Sequence, residues 1–490
     1  MPSKRKPAHS RDRHARPGAP CPSTVDYLET QLLEWLETVP EPERRSGPGR
    51  LPVVPAVLLW TGLLVCLLRG FTSQLDVWRK LTTHGLWRFP RVQVSDMAIY
   101  QRLARTSPAT LAQFLEHLSA ALTTHLQGRT AVRGAAFAAE IYALDQTVLD
   151  PACAKLKIFR GLPKGDHRLL PGALGTVFDL RRQLWKRVVF NPQALANEKP
   201  AAPGLVAGLP AGSLLLFDLG YFSFPWLDQL VRDGFHFVCR VPRNVTWQEV
   251  HCFGVVQTAR VRLRESLIYL GAGTAAHHSQ GAFPLRRIEV TQRRRVGVDS
   301  PGDPTWCYVT DALDPHVFPA AEAVGLYGRR WDIETAFGVC KTHLQLHLVW
   351  SAQLNTVLHQ VYATLILAQA ISALRFEIAD RAAADVREVS LELMLRWLPE
   401  FAAEGGGPEG QDPVTYFVQE GRRLGFIRPF RGHEREVPLP PETAYARPDP
   451  PPEPRRACYP RYAADSPQRA LETALNAALT HHARPGQDRG

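Results

Sequence analysis

The chain has 490 residues, enough to bury two or three hydrophobic cores. Lysine plus arginine exceeds aspartate plus glutamate by 11, and the pI of about 9.4 favours a polyanionic partner, with a soluble basic enzyme as the alternative. None of the eight cysteines has Cys-x-x-Cys spacing, which argues against a zinc site and a disulfide framework, so we expect reduced thiols in a cytoplasmic protein.

The first 130 residues are basic at the start and then helical in pattern. Residues 1–24 are basic and polar and lack the apolar segment of a signal peptide, which predicts a disordered arm. The apolar run 53–68 is too short to span a membrane comfortably and contains Pro55, so we interpret it as a buried helix. Residues 94–103 have a Ser-Asp start and a basic tip, a pattern typical of the second helix of a helix-turn-helix or of an ordinary bundle helix.

Two aspartates follow directly on apolar runs. Residues 141–147 read as a short buried strand with Asp145 near its end, and residues 213–217 read as a second strand followed by Asp218. An ionised carboxylate in such apolar surroundings is costly unless it is paired or bound to a metal ion. Asp145 and Asp218 are therefore candidate metal ligands; the alternative is that each caps a following turn or helix.

Strands alternate with turns and helices between residues 139 and 241, which indicates an α/β domain. Residues 242–304 instead alternate apolar and basic side chains, as in a half-exposed antiparallel sheet. Arginines far outnumber acids there, and we predict that Arg293, Arg294 and Arg295 follow duplex phosphates, with solvated strand faces as the alternative.

Residues 320–346 read as one long helix that carries four polar residues close together. Arg330, Glu334 and Lys341 follow Tyr327 by three, seven and fourteen residues, so at about 100° per residue the four lie within about 60° of arc. A neighbouring apolar stripe faces the core: Leu326, Ile333, Phe337, Cys340 and Leu344. Two cations around one acid suit a phosphate held beside a divalent ion, whereas a solvated helix with an Arg330/Glu334 pair is the plainer alternative.

This block resembles the Tyr-x2-Arg-x3-Glu-x6-Lys signature of the IS-four family of insertion-sequence transposases, which are DDE transposases. The run from Arg329 to Glu334 is similar to the Arg-Trp-x-Ile-Glu core of that family. Asp145-Gln146-Thr147 resembles the block around the family's first acid, and Asp218-Leu219-Gly220-Tyr221-Phe222 resembles the block around its second. The similarity extends over about residues 50–375, and Gln146 departs from it because many members carry a small or acidic residue there.

The resemblance implies a ribonuclease-H-like α/β catalytic domain that is interrupted by a β-rich insertion and flanked by helical N-terminal and C-terminal regions. Two Mg²⁺ ions, with Mn²⁺ as a substitute, would be held by the catalytic triad Asp145, Asp218 and Glu334. The implied DNA contacts beside the scissile bond are Tyr327, Arg330 and Lys341. Trp306 aligns with a tryptophan that hairpin-forming relatives place near a flipped base, or else it is a core residue of the strand 306–310.

The expected organisation is a basic arm (1–24), a helical DNA-binding region (25–130), a catalytic domain in two parts (131–241 and 305–375) around the β-rich insertion (242–304), a helical region (376–430) and a Pro-rich, largely disordered tail (431–490). The expected function is that of a cut-and-paste DNA transposase. It would act on double-stranded DNA, both element ends and target, as a homodimer in the nucleoid-associated cytoplasm and without a membrane. Two alternatives stay open: a metal-dependent nuclease that cuts without joining, and an inactive DNA-binding relic, against which the intact acidic triad argues.

Overall fold

The computed structural model describes residues 23–38, 53–86, 89–150, 163, 166, 169–271, 279–294, 302–403, 411–429, 452–459 and 473. Three of the sequence-based predictions lie wholly or largely outside these residues: the basic arm 1–24, Arg295 and most of the tail 431–490.

The N-terminal part of the described chain is helical. Its helices are α1 (Thr24–Thr38), α2 (Ala56–Leu68), α3 (Gln74–Thr83), α4 (Asp96–Arg105) and α5 (Ala109–His125). α2 is the buried helix predicted for the run 53–68, with Leu59 and Leu67 fully buried. α4 covers the predicted helix-turn-helix segment and buries Ile99 and Leu103, and its last turn carries Arg102. Its contact with DNA stays a prediction.

A mixed nine-stranded sheet forms the centre of the described structure. Its strands are β1 (Ile141–Val148), β2 (Ala173–Asp179), β3 (Leu184–Asn191), β4 (Leu214–Phe217), β5 (His236–Arg240), β6 (Trp247–Gln257), β7 (Val261–Leu270), β8 (Pro284–Gln292) and β9 (Thr305–Thr310). The order across the sheet is β3-β2-β1-β4-β5-β9-β8-β7-β6. The pairs β1–β4 and β4–β5 are parallel, and the remaining neighbours are antiparallel. The predicted α/β class is therefore confirmed.

The strands of the predicted insertion extend the central sheet. β9 pairs with β5 on one side and with β8 on the other, so β8, β7 and β6 continue outward from it. This pairing satisfies backbone N–H and C=O groups at the edge of β5 that would otherwise be exposed. The parallel strands and the basic strands consequently share one continuous hydrogen-bonded framework.

Helices cover both faces of the sheet. On one face, Ala143 of β1 and Leu216 of β4 belong to the larger core, together with α8 (Ala320–Arg329), α9 (Trp331–Gly338), α10 (Leu354–Arg381), α11 (Leu391–Ala403) and α12 (Pro413–Gln419). On the other face, α6 (Ala202–Val206) and α7 (Phe224–Arg232) close a smaller core.

By length and composition, α10 is the helix within the described residues that is able to cross a membrane. Of its most apolar window, however, 72% is buried inside the protein. Two of its buried side chains, Gln360 and Gln369, donate hydrogen bonds to the backbone carbonyls of Leu348 and Leu115 elsewhere in the protein. α10 is therefore the central core helix of the described structure.

Residues 452–459 pack against the sheet, although they lie inside the tail that the sequence predicts to be largely disordered. Arg455 donates hydrogen bonds to the backbone carbonyls of Leu270, Gly271 and Gly281, and its guanidinium lies over the ring of Tyr269. Composition alone gave no sign of this attachment, because the segment has neither strand nor helix periodicity and is held by long-range contacts.

The attachment ends at a buried carboxylate. Tyr459 is fully buried, and its hydroxyl donates to Asp228 of α7. Asp228 also accepts hydrogen bonds from the backbone N–H groups of Ala282 at 2.7 Å and Phe283 at 3.3 Å. Burial raises the pKa of Asp228 to about 7, and these donors oppose that rise because they favour the carboxylate.

Replacing Tyr459 with Phe is expected to lower the free energy of unfolding by about 1–3 kcal/mol, because it removes a donor from a buried acceptor. Urea denaturation measures this loss, and hydrogen exchange at residues 452–459 reports whether the segment detaches first. Tyr100→Phe on α4 is the control and should leave both readouts unchanged. Equal stability of the Tyr459→Phe protein and the wild type would contradict the assigned role of the hydroxyl.

Candidate active site

Asp145 and Asp218 lie side by side at one edge of the parallel strands. Ala143 of β1 pairs with Leu216 of β4, and the same register two residues further on sets Asp145 beside Asp218. Neighbouring strands are about 4.8 Å apart, and side chains two positions apart share a face. Both aspartates therefore project from the face of the larger core, where α9 packs.

Each aspartate also accepts a local backbone hydrogen bond. The N–H of Gln146 donates to Asp145 Oδ1 at 2.9 Å, and the N–H of Gly220 donates to Asp218 Oδ1 at 2.8 Å. The second bond caps the short 3-10 turn Leu219–Tyr221. Asp218 therefore caps a turn, as the alternative interpretation predicted. In both aspartates these local bonds use Oδ1.

Arg330 connects the first acid with the glutamate. Its Nη2 donates to Glu334 Oε1 at 2.7 Å, and its Nη1 lies 3.9 Å from Asp145 Oδ2. The Arg330 side chain is only 8% exposed, so this positive charge is placed within the site and not on a solvated face. The positive charge of this guanidinium opposes the burial penalty on the ionised Asp145 carboxylate.

The predicted single helix 320–346 is divided into three segments. α8 ends at Arg329, α9 begins at Trp331, and a π-helical turn, Val339–His343, follows α9. The wider turn changes the helical register after Glu334, so Lys341 no longer follows the angular spacing of a regular helix. The Lys341 ammonium instead donates to the backbone carbonyl of Val148, at the end of β1, at 2.9 Å.

Tyr327 is buried, whereas the sequence predicts that it is presented beside the core-facing stripe. It is 7% exposed, and its ring packs edge-on against Tyr308 of β9 with centroids 5.0 Å apart. Burial raises the pKa of its hydroxyl well above the ordinary value. Tyr327 therefore holds the end of α8 against the sheet, three residues before Arg330.

The electrostatics of Asp145 reflect these neighbours. Burial raises the pKa of Asp145 to about 6; the positive charge of Arg330 and the N–H of Gln146 lower it, while Asp218 and Glu334 raise it. Asp145 therefore interacts electrostatically with both of the other predicted triad carboxylates.

A fourth carboxylate, Glu198, joins this group, and the sequence analysis missed it. Burial raises the pKa of Glu198 to about 7, and the negative charges of Asp218 and Asp145 contribute to the rise. Glu198 precedes the 3-10 turn Lys199–Ala201, between β3 and β4. It does not end an apolar run, so the criterion that identified Asp145 and Asp218 gave no signal for it.

The donor atoms of this group suit a hard divalent cation. Asp145, Asp218, Glu334 and Glu198 offer only carboxylate oxygens, the ligands that Mg²⁺ and Mn²⁺ prefer. Within the described residues, no three His, Cys, Asp or Glu side chains already converge closely enough to hold a metal ion. Arg330 lies between Asp145 and Glu334, so in this structure its positive charge compensates the negative charges of these two acids.

Trp306 lies near the same edge of the sheet. β9 is antiparallel to β5, so the beginning of β9 lies beside the end of β5, and Trp306 precedes Tyr308, the partner of Arg240. Trp306 pairs with Val290 of β8 and is half-buried against the larger core. This packing favours the core interpretation, and stacking on a flipped base stays a prediction.

The three predicted arginines of the insertion are not alike. Arg293 is 7% exposed, and its guanidinium donates to the backbone carbonyl of Thr258 at 3.0 Å, so it stabilises the end of the β7–β8 pair. Arg294 is exposed and available to a phosphate. Arg295 lies outside the described residues.

The raised pKa of Asp145 predicts a pH dependence of stability without metal. An acid whose pKa is higher in the folded protein contributes stability at low pH that is lost as the pH rises through the folded value, here about 6. Asp145→Asn should therefore flatten the decline in unfolding free energy between about pH 4 and pH 6, from the unfolded to the folded pKa, by at most about 3 kcal/mol. Urea denaturation in chelator measures it, and Glu116→Gln, at an exposed position, should follow the wild-type decline. An unchanged decline in Asp145→Asn would contradict the assigned burial.

Parts of the chain are similar to known transposases. Residues 169–369 match the family model of the transposase DDE domain, a region that contains Asp218 and Glu334 but begins after Asp145. Over 177 residues, 35% of this chain, the sequence is 27% identical to y4zB of Sinorhizobium fredii, a protein named as a transposase; the match covers 45% of that relative, so the chain spans less than half of its length. The structure of the piggyBac transposase synaptic complex with hairpin DNA is loosely similar, with 10% identity, 84% of each chain covered and a TM-score of 0.38.

Proposed function

We propose that this protein is a cut-and-paste DNA transposase that cleaves the ends of an insertion sequence and joins them to target DNA. The observation that carries the proposal is that Asp145 interacts with both Asp218 and Glu334, with Arg330 between Asp145 and Glu334, on a chain whose residues 169–369 match a transposase DDE domain. Aspartates on adjacent parallel strands and a glutamate from a covering helix are a geometry that suits divalent cations at a phosphodiester.

The parallel part of the sheet supports a ribonuclease-H-like assignment for this domain. The strands β3, β2 and β1 form an antiparallel series, and β4 and β5 then continue it in parallel with β1. The acids lie where β1 and β4 end. In open α/β sheets, functional groups gather at the carboxyl ends of parallel strands, which is where these acids are found.

Asp145, Asp218 and Glu334 would hold the divalent ions. Bound there, two Mg²⁺ or Mn²⁺ ions would lower the pKa of the attacking water or 3′-hydroxyl and stabilise the leaving oxygen. Arg330 compensates the acids in the described geometry, and we propose that it turns to a DNA phosphate when cations take over that compensation. Guanidinium groups bind phosphate and carboxylate with the same two-pronged geometry, so the exchange retains its hydrogen bonds.

Lys341 would bind a second DNA phosphate, and Tyr327 would position Arg330. The Lys341 ammonium lies 3.7 Å from Asp150 Oδ2 and is 26% exposed, so it is able to reach a phosphate beside the end of β1. Tyr327 is buried and would position Arg330 through α8 instead of stacking on DNA. The net charge of +11 supports double-stranded DNA as the partner, and two element ends suit a homodimer.

Alanine at Asp145, Asp218 or Glu334 should reduce cleavage of DNA carrying the element ends by at least about 100-fold, the scale of losing one preorganised electrostatic contact to the reacting group. DNA binding in a gel-shift assay should stay close to wild type, because carboxylates repel phosphate. Asp233→Ala, an exposed acid beyond α7, is the control for cleavage. A triad variant with near-normal cleavage would remove that residue from the proposed site.

Magnesium or manganese should support cleavage and strand transfer, and excess chelator should abolish both. Calcium should allow protein–DNA complexes to assemble but not to react, because its longer bonds and variable coordination misplace the nucleophile. The assay separates nicked, cleaved and joined DNA on a denaturing gel. Cleavage without any joined product would favour a metal-dependent nuclease, and full activity in chelator would rule out the metal mechanism.

A further inference from the structure

The Glu198 carboxylate occupies space that exists only because residue 220 is glycine. A Cβ built on Gly220 would lie 2.4 Å from Glu198 Oε2 and 3.0 Å from Asp218 Oδ1. The backbone of Gly220 is outside the left-handed region, so its conformation does not require glycine. The requirement is steric: a methyl group at this position would displace the carboxylate of Glu198 from the side of Asp218.

The segment that carries Glu198 is fixed to the first catalytic strand. The side chain of Gln146, next to Asp145, donates to the backbone carbonyl of Ala196 at 3.4 Å. The N–H of Lys199 bonds to Asn197 Oδ1 at 3.1 Å, and the N–H of Ala201 bonds to the carbonyl of Glu198 at 3.1 Å. Gln146 is also the residue that departs from the resemblance, and here it positions the segment before Glu198.

The hydroxyl of Tyr221 is buried near Glu198 and Asp218. Tyr221 is 0% exposed, and its hydroxyl has no hydrogen-bond partner within the described protein. The same hydroxyl interacts electrostatically with Glu198, Asp145 and Asp218. A buried hydroxyl beside three carboxylates is suited to bond a ligand oxygen, such as water on a cation, that these carboxylates would hold.

We propose that Glu198 is a fourth metal-ligating carboxylate of the active site, supplied beside Asp218 through the space over Gly220. The inference rests on the proposed function, since it assigns Glu198 to the divalent ions of that site. Hard cations take six or more oxygen ligands, and Glu334 already shares one oxygen with Arg330. Glu198 adds carboxylate oxygens from a segment other than α9.

The test is Mn²⁺ binding to the full-length protein, followed by the electron paramagnetic resonance signal of free Mn²⁺ without DNA. Glu198→Gln should weaken the tighter Mn²⁺ site by at least about tenfold. Glu249→Gln, at an exposed acid paired with Arg264, is the control and should bind as the wild type does. Wild-type affinity in Glu198→Gln, with weakened binding in Asp218→Asn, would overturn the role of Glu198 alone. Wild-type affinity in both Asp145→Asn and Asp218→Asn would overturn the proposed function itself.

Gly220→Ala tests the proposal without removing a carboxylate, because the added methyl group would displace the Glu198 side chain. It should weaken Mn²⁺ binding about as much as Glu198→Gln does, and the double variant should be no weaker than either single variant. If Gly220→Ala binds Mn²⁺ as tightly as the wild type does, the position of the Glu198 carboxylate does not matter to the ion, and the proposal is wrong.

Thermal unfolding separates ligation from a structural role. Removing one of several neighbouring negative charges should leave the melting temperature of metal-free Glu198→Gln unchanged or higher, and Mn²⁺ should raise it less than in the wild type. A lower metal-free melting temperature with an undiminished rise on adding Mn²⁺ would show that Glu198 is structural, which would overturn the proposal.

Discussion

Electrostatic interactions connect four carboxylates beside one buried guanidinium, and the parallel strands and the helices that cover them are arranged around this group. Asp145 and Asp218 are neighbours because β1 and β4 are parallel and in register, and Glu198 and Glu334 come from segments that cross the same edge. Like charges in a partly buried place are costly unless a cation compensates them. Arg330 supplies that compensation in the protein alone, and the proposed chemistry replaces it with metal ions.

The helical stretch that carries Arg330 and Glu334 has to pack against the core and also to contact β1. Its apolar side, including Ile333 and Phe337, packs into the larger core, while its polar residues reach β1 at different heights. A regular helix would keep the apolar side against the core but would not bring Lys341 to the end of β1. The break at Arg330 and the π-helical turn Val339–His343 allow Lys341 to reach the end of β1 while Cys340 and Leu344 stay buried.

The positive charge of this chain is distributed less simply than its total suggests. In the outer part of the sheet Arg286 is fully buried and forms an ion pair with Glu265, Arg287 pairs with Glu289, and Arg293 bonds to a backbone carbonyl. Arg455 likewise holds residues 452–459 against β7. These arginines stabilise long strands and the segment 452–459, so the proposed electrostatic attraction to DNA would depend on exposed residues such as Arg294 and Arg260.

The sequence by itself determined the α/β class, the buried helix α2, the two strands that carry Asp145 and Asp218, and the helical stretch that contains Arg330 and Glu334. Each of these follows from hydrophobic periodicity or from an acid next to an apolar run, signals that are local in the chain. Tertiary structure alone decided that β6, β7 and β8 continue the central sheet, that residues 452–459 dock on it, and that Tyr327 and Arg293 are buried. It also decided the position of Glu198, which lies 53 residues after Asp145 and 20 before Asp218 in the chain. Glu198 has no periodicity to mark it, because its place depends on strand register, on a side-chain bond from Gln146 and on the missing Cβ of Gly220, and these are contacts between distant segments that no local pattern encodes.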